Sequence, residues 1–216
     1  MTERISHHIP DALMASYVAG TLPKPFALVV ATHVSMCDSC RANYLAHQAA
    51  GGAVLENIAE EPLSGDLRDR VLGALDDAID LDDPETDETP RDGIYPGPVM
   101  AALKGKAPRW KSIGGGVRQC IVDMGREGSA RLLHIPAGRP VPEHSHGGLE
   151  LTLVLQGGFS DTTGHFDVGD VEIANDELEH IPTADPGDDC ICLAATDAPL
   201  RFSGLVPRIL QPLFAI

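Results

Sequence analysis

Residues 138–157, GRPVPEHSHGGLELTLVLQG, contain three side chains that could together bind a metal ion: His144, His146 and Glu150. Imidazole nitrogens and carboxylate oxygens are ligands of borderline and hard divalent metals. Alternate residues of an extended strand share a face, so His144 and His146 point the same way, and the two glycines that follow let the chain turn Glu150 back towards them. A fourth ligand should come from a later strand, where His180 is the best candidate. The pattern therefore predicts a metal site.

A second group of candidate ligands, near the N-terminus, combines histidine with cysteine. His33 and Cys37 are four residues apart, which places them on one face of a helix, and Cys37 and Cys40 have the spacing of the close pair in structural zinc sites. Tetrahedral zinc needs a fourth ligand, for which His7 and His8 both stand upstream. Zinc here would supply folding free energy to a helical region that is too small to build a large core.

The chain is strongly acidic: among 216 residues, 32 are Asp or Glu and 16 are Lys or Arg, which gives a formal net charge of −16. This balance argues against direct binding of nucleic acid, because contacts to phosphates require clustered basic side chains. It is compatible with a basic protein partner, since complementary fields favour association, although acidic side chains also simply keep a protein soluble.

The N-terminus and the cysteines predict a cytoplasmic protein with no membrane association. MTERISHHIP lacks the charged start and apolar core of a signal peptide, and the apolar run FALVVA is far shorter than the ~20 residues that span a membrane. Five cysteines, an odd number with close spacings, do not form a secreted disulfide framework. Cys190 and Cys192, on one face of a predicted strand, are interpreted as core residues, with an oxidant-sensitive pair as the alternative.

The periodicity of apolar residues divides the chain into a helical part and a strand-rich part. Four helices are predicted, at residues 11–20, 24–34, 38–59 and 64–79. The stretch DDAIDLDDPETDETPRDG is acidic, contains two prolines and is typical of a solvated linker. Short strand-like runs follow at near-regular spacing, which predicts a β-barrel or sandwich. The predicted organisation is a helical domain at 1–80, an acidic flexible linker at 81–98 and an antiparallel β domain at 99–216.

The first group of ligands lies in a pattern, G-x5-H-x-H-x3-E-x6-G, that resembles the first motif of the cupin superfamily. Gly169-Asp170 followed by His180 is similar to the looser second motif. The resemblance implies a small antiparallel β-barrel whose central metal is held by His144, His146, Glu150 and His180. The implied metal is a divalent ion, zinc first, with iron, manganese or nickel as alternatives.

The N-terminal half also resembles a known group. LMASYVAGTL and HVSMCDSC, with a histidine upstream, are similar to the zinc-binding anti-sigma domain, a small helical bundle that holds a bacterial sigma factor inactive. Such a domain followed by a cupin resembles the ChrR family of cytoplasmic anti-sigma factors over nearly the whole chain. The resemblance implies zinc ligands at His8, His33, Cys37 and Cys40. His8 follows from its distance to the DAL stretch, and His7 remains an alternative.

The family resemblance implies a regulator and not an enzyme. The helical domain would bind a sigma factor of the extracytoplasmic-function type and block its access to core RNA polymerase. The cupin domain would sense oxidants related to singlet oxygen, and would form a homodimer when the protein is free. The alternative is a metal-dependent dioxygenase with an accessory helical domain, but a plain cupin oxygenase has no need for the His33, Cys37 and Cys40 group.

Overall fold

The structure is a computed structural model that describes residues 5–75, 89–124, 128–145, 147–176 and 178–198, together with the backbone of 201–202. Within these residues, four helices lie in the N-terminal region and a fifth precedes the strands. None of these described helices is both long enough and apolar enough to cross a membrane. Their bounds are α1 Asp11–Val18, α2 Lys24–Met36, α3 Asp38–Glu56, α4 Leu67–Ala74 and α5 Gly97–Ala102.

Proline, glycine and cysteine set the ends of the first three helices. Pro10 is extended immediately before α1, and Gly20 adopts a φ of 69° after it. Pro25 lies in the first turn of α2, where its missing N–H leaves no helical hydrogen bond unmade. Cys37 is extended between α2 and α3, and its Sγ accepts a hydrogen bond from the Cys40 N–H at 3.5 Å. The four predicted helices are present. The third ends slightly earlier than predicted, and residues 76–79 of the fourth lie outside the described residues.

The described strands form three antiparallel sheets. The bounds of the strands are β1 Lys111–Gly114, β2 Val117–Val122, β3 Ser129–Ile135, β4 His144–Ser145, β5 Glu150–Gln156, β6 Phe159–Ser160, β7 His165–Phe166, β8 Val171–Ala174, β9 Glu179–His180, β10 Thr183–Ala184, β11 Cys190–Thr196 and β12 Arg201–Phe202.

The largest sheet has the order β1-β2-β3-β11-β5-β8, and the two smaller sheets have the orders β10-β6-β7 and β12-β4-β9. The predicted antiparallel cupin fold is confirmed, although the strand pairings of the described residues give a sandwich-like arrangement and not one closed barrel.

The central strands β5 and β11 of the largest sheet are buried on both faces, and both are almost uninterrupted apolar runs. One face packs on α2, where Phe26, Val29 and Val30 join the core of Leu153 and Leu193. The opposite face packs on the β10-β6-β7 sheet through a second cluster that contains Ile135, Val154, Phe159, Phe166, Ala184 and Cys190. The helical region and the β region therefore share one hydrophobic core across the face that α2 covers.

The predicted linker lies partly outside the described residues, because residues 76–88 are not described. The described chain resumes at residue 89, and Asp92 and Tyr95 form an isolated antiparallel bridge. In α5, Val99 and Met100 are buried, and this helix packs against α2. The domain boundaries at 80 and 98 stay predictions.

Candidate metal centres

Four side chains from three separate segments converge at the junction of α2 and α3. His33 is in the last turn of α2, Cys37 lies between the helices, Cys40 is in the first turn of α3, and His8 comes from the extended segment before α1. One donor atom of each lies within 4.8 Å of the others. His8 Nδ1 is 3.4 Å from Cys37 Sγ and 3.7 Å from Cys40 Sγ. Two imidazoles and two thiols form a donor set that suits tetrahedral zinc.

The protonation of this cluster also fits a bound cation. His33 Nδ1 lies 2.8 Å from the carbonyl oxygen of Gly169, and because a carbonyl only accepts, this nitrogen carries the proton. His33 Nε2 is buried and has no hydrogen-bond partner within the described structure. Burial lowers the pKa of His33 to about 4, so that its ring is neutral and Nε2 keeps a free lone pair. Burial also raises the pKa of Cys40 to about 11, so zinc would have to displace the proton of this thiol on binding. A buried lone pair without a partner is costly, and a zinc ion among these donors would satisfy it.

His7, the alternative ligand, points towards the β region. Its Nδ1 is 3.4 Å from Asp170 Oδ2, its ring centroid is 4.5 Å from that of Phe166, and its backbone N–H donates to Asp170 Oδ1 at 2.8 Å. The structure therefore brings His8, and not His7, to the two cysteines.

In the β region, His144 and His180 face each other across the β4–β9 pair, with ring centroids 4.7 Å apart and both side chains buried. The Nδ1 of His144 lies 2.8 Å from the carbonyl oxygen of Pro142, and the Nδ1 of His180 lies 2.6 Å from Asp161 Oδ2. Because both Nδ1 atoms are engaged in this way, each ring would bind a metal through Nε2.

The other two predicted ligands of this centre are His146 and Glu150. His146 lies outside the described residues. Glu150 begins β5 and accepts a hydrogen bond from Thr152 Oγ1 at 3.1 Å. The donor atoms of His144, Glu150 and His180 do not all lie within 4.8 Å of one another in the described structure. The four-ligand set of the cupin centre therefore stays a prediction.

Comparison with known proteins identifies the family. Residues 99–199 match the ChrR cupin-like domain. Over 214 residues the chain is 50% identical to the anti-sigma-E factor ChrR of Cereibacter sphaeroides, which covers 98% of this chain and 99% of that protein. This chain belongs to the ChrR family of anti-sigma factors. A crystal structure of Rhodobacter sphaeroides SigE in complex with the anti-sigma ChrR is also similar, with a TM-score of 0.76 and 49% identity over 89% of this chain and 99% of that chain.

Membership of the ChrR family decides between the two functional classes that the sequence left open. The members that match this chain over its length are anti-sigma factors, so the protein is a regulator and not an enzyme. The predicted family resemblance is confirmed. The dioxygenase alternative finds no relative of comparable identity and coverage among these matches.

Two acidic residues beside the cupin centre were not identified from the sequence. Asp161 and Glu172 place carboxylate oxygens within 4.8 Å of each other and of a His180 ring nitrogen. Burial raises the pKa of Glu172, whereas Asp161 accepts enough hydrogen bonds, including one from Glu172 and two from Thr163, to lower its pKa despite burial. Glu172 therefore keeps its proton to a higher pH than Asp161 does. The signal in the sequence was a single acidic residue at an inward position of the apolar strand VEIA.

Cys190 and Cys192 are both buried on the face of β11 that points away from α2. Hydrogen bonding to Cys190 and burial raise the pKa of the Cys192 thiol well above its usual value. A protonated, buried thiol reacts poorly with oxidants, because the thiolate is the reactive form. The geometry is consistent with the interpretation of both as core residues.

Proposed function

We propose that this protein binds a sigma factor of the extracytoplasmic-function type and holds it inactive. The observation that supports this most directly is an apolar surface on α3, the following loop and α4, with Leu75 immediately after α4. This α3–α4 surface consists of exposed side chains, namely Leu45, Val54, Leu55, Ile58, Leu63, Val71, Leu72 and Leu75. Exposed apolar groups in such number are typical of a protein interface.

The short helix α4 has no buried side chain that would stabilise it within the described structure. It contains eight residues and buries none of them in the described structure. An isolated helix of this length is marginal in water, because its few hydrogen bonds do not offset the entropy of nucleation. The relative of known structure is in complex with SigE. A sigma factor seated on the α3–α4 surface would bury the apolar face of α4 and stabilise the helix.

The acidic charge of the chain supports the same partner. Sigma factors must contact DNA and so carry basic surfaces, which a protein of net charge −16 would attract and cover. Direct binding of nucleic acid by this chain is disfavoured on the same grounds. We place the protein in the cytoplasm, where its partner would act, and with no membrane association.

Zinc would hold the sigma-binding region together through His8, His33, Cys37 and Cys40. The cluster joins the segment before α1 to the α2–α3 junction, so that metal binding fixes the direction of α3 relative to α2. Because α3 carries part of the apolar surface, zinc would keep that surface in its binding conformation.

The β region would act as the sensor. A divalent metal, zinc first and iron, manganese or nickel as alternatives, would be held by His144, His146, Glu150 and His180. Oxidants related to singlet oxygen would change this centre and relieve the inhibition. In this arrangement residues 1–80 form the anti-sigma domain, 81–98 the linker and 99–216 the cupin sensor, through which the free protein would form a homodimer.

Co-purification with the sigma factor encoded by the neighbouring gene tests the proposal. A stable complex on size-exclusion chromatography, together with loss of transcription when the chain is added to that sigma factor and core RNA polymerase, is the expected result. A sigma factor that transcribes equally well with and without a stoichiometric amount of this chain would contradict it.

A further inference from the structure

The segment before α1 is bound along its backbone by one carboxylate of the β region. Asp170 is 1% exposed, and its Oδ1 accepts hydrogen bonds from the backbone N–H groups of Ser6 at 2.7 Å and His7 at 2.8 Å. Its Oδ2 accepts from the Asp167 N–H at 3.0 Å. A buried carboxylate that receives several N–H groups is held firmly in one orientation. The next residue after this anchored pair is His8, so Asp170 fixes the point from which His8 reaches the cysteines.

The neighbouring glycine binds the second histidine of the cluster. The carbonyl oxygen of Gly169 lies 2.8 Å from His33 Nδ1, across the boundary between the helical and β regions. Gly169 has a φ of 95°, and a Cβ at this position would lie 2.5 Å from the Ile5 Cδ1 atom. Glycine is therefore favoured by the left-handed backbone conformation, and a Cβ here would also require the Ile5 side chain to move.

The turn that carries these two groups is itself fixed to the largest sheet. The Gly169 N–H donates to the Val154 carbonyl oxygen at 2.9 Å, and the Val154 N–H donates to the Asp170 carbonyl oxygen at 3.1 Å. Val154 is buried in the middle of β5. The position of the turn is consequently set by the β sheet and not by the helices.

We propose that the Gly169–Asp170 turn is the outer shell of the N-terminal zinc site, so that the β region helps to retain zinc in the helical region. This inference rests on the proposed zinc site. The Gly169 carbonyl selects the tautomer of His33 that presents Nε2 to the metal, and Asp170 positions the backbone that delivers His8. Both imidazole ligands are therefore oriented from outside the helical region, whereas the two cysteines are oriented within it.

The same turn lies next to the second candidate centre. Strand β8 begins one residue after Asp170, and its Glu172 Oε1 is 3.4 Å from His180 Nδ1. A change at His180 that displaced the start of β8 would therefore also displace the turn that orients His33 and His8. The structure offers this contiguous set of contacts as the physical connection between the two centres.

Cobalt replacement measures the zinc site separately from the cupin centre. In the full-length protein loaded with Co²⁺, thiolate-to-cobalt charge transfer marks the cysteine-containing cluster, because the predicted cupin ligands are nitrogen and oxygen. The variants are Asp170→Ala, Asp170→Asn and Gly169→Ala. The control is Asp189→Ala, which removes a carboxylate bound by Ala137 and His134 within the β region. The measurement is the rate at which excess EDTA abolishes the charge-transfer band.

Outer-shell partners typically change metal affinity about 10- to 100-fold, and the indirect role of Asp170 places Asp170→Ala near the lower limit, at about tenfold faster metal loss. Asp170→Asn keeps an oxygen that can accept hydrogen bonds from Ser6 and His7. Its rate of metal loss should therefore lie between those of Asp170→Ala and the wild type. Gly169→Ala should also lose metal faster than the wild type. Asp189→Ala should lose metal at the wild-type rate, even if this substitution lowers the melting temperature. If Asp170→Ala does not fold, the other two variants carry the test.

Two contrary results have different meanings. A wild-type protein that shows no thiolate–cobalt band would overturn the zinc site itself, and this inference with it. In the other case the wild type shows a normal band, but Asp170→Asn and Gly169→Ala lose it no faster than the wild type and Asp189→Ala do. That result would overturn the outer-shell role alone.

Discussion

Replacing two apolar side chains of the α3–α4 surface by alanine is the most direct test of how this protein recognises its partner. Leu55, at the end of α3, is 70% exposed, and Leu75, which follows α4, is 68% exposed. Complete burial of a leucine side chain contributes about 1.5–3 kcal/mol, so burying the exposed two thirds of each in a complex would contribute about 1–2 kcal/mol. If the two positions act independently, Leu55→Ala with Leu75→Ala should weaken binding by about 2–4 kcal/mol, or about 30- to 1,000-fold in Kd.

Isothermal titration calorimetry with the purified sigma factor measures this loss. Ile121→Ala provides a matched control, because Ile121 is also an apolar, 52% exposed residue but lies on β2 of the β region. Its Kd should equal that of the wild type. Exposed side chains contribute little to the folded state, so the melting temperatures of all variants should differ only slightly.

The reasoning would be refuted by a double variant that binds within about twofold of the wild type while remaining folded, since ~0.4 kcal/mol is far below the expected loss. An equal loss in Ile121→Ala and in the double variant would also refute it, because the interface would then not be confined to the α3–α4 surface.

Three further predictions separate the roles of the two centres. Cys40→Ser should lose zinc and partner binding together, as measured by metal analysis and calorimetry, and full zinc content with unchanged binding would contradict it. A chain of residues 1–85 should still inhibit transcription, since it retains the α3–α4 surface and the zinc ligands. It should melt at a lower temperature because the sheet-facing side of α2 becomes exposed. His146→Ala should bind the sigma factor normally but fail to release it in a transcription assay after oxidant treatment, whereas release like that of the wild type would exclude this site as the sensor.

The sequence predicted those elements whose signals are local. Pro10 and Gly20 mark the ends of the first helix through their own backbone restrictions, and α1 begins and ends close to them. The long strands β5 and β11 were visible as apolar runs. The arrangement of strands into three sheets was not predictable in this way, because it depends on pairings between segments far apart in the chain.

The N-terminal cluster was predictable where its ligands are close in sequence. His33, Cys37 and Cys40 are close in sequence and share one helix junction, so their spacing predicted their proximity. The ligand spacing alone left His7 and His8 open, and the family resemblance gave His8 from its distance to the DAL stretch. The contact that turns His7 away from the cysteines comes from Asp170, 163 residues further along the chain, which no local pattern could reveal. The two carboxylates beside His180 were missed for separate reasons. Asp161 follows β6 in a turn, where an acidic residue is usually solvated, and Glu172 is one acidic residue in the short strand β8.

The helical region presents two different faces, and their placement bears on how release could occur. Helix α2 packs on the β sheet, while the surface that we propose for the partner lies on α3, α4 and the loop between them. A signal that starts in the β region must therefore cross from α2 to α3 before it reaches the partner. Cys37 occupies that crossing, since it ends α2 and caps α3 through its Sγ atom. A metal bound there would make the angle between the two helices depend on His33 and His8, the two ligands that the β region orients.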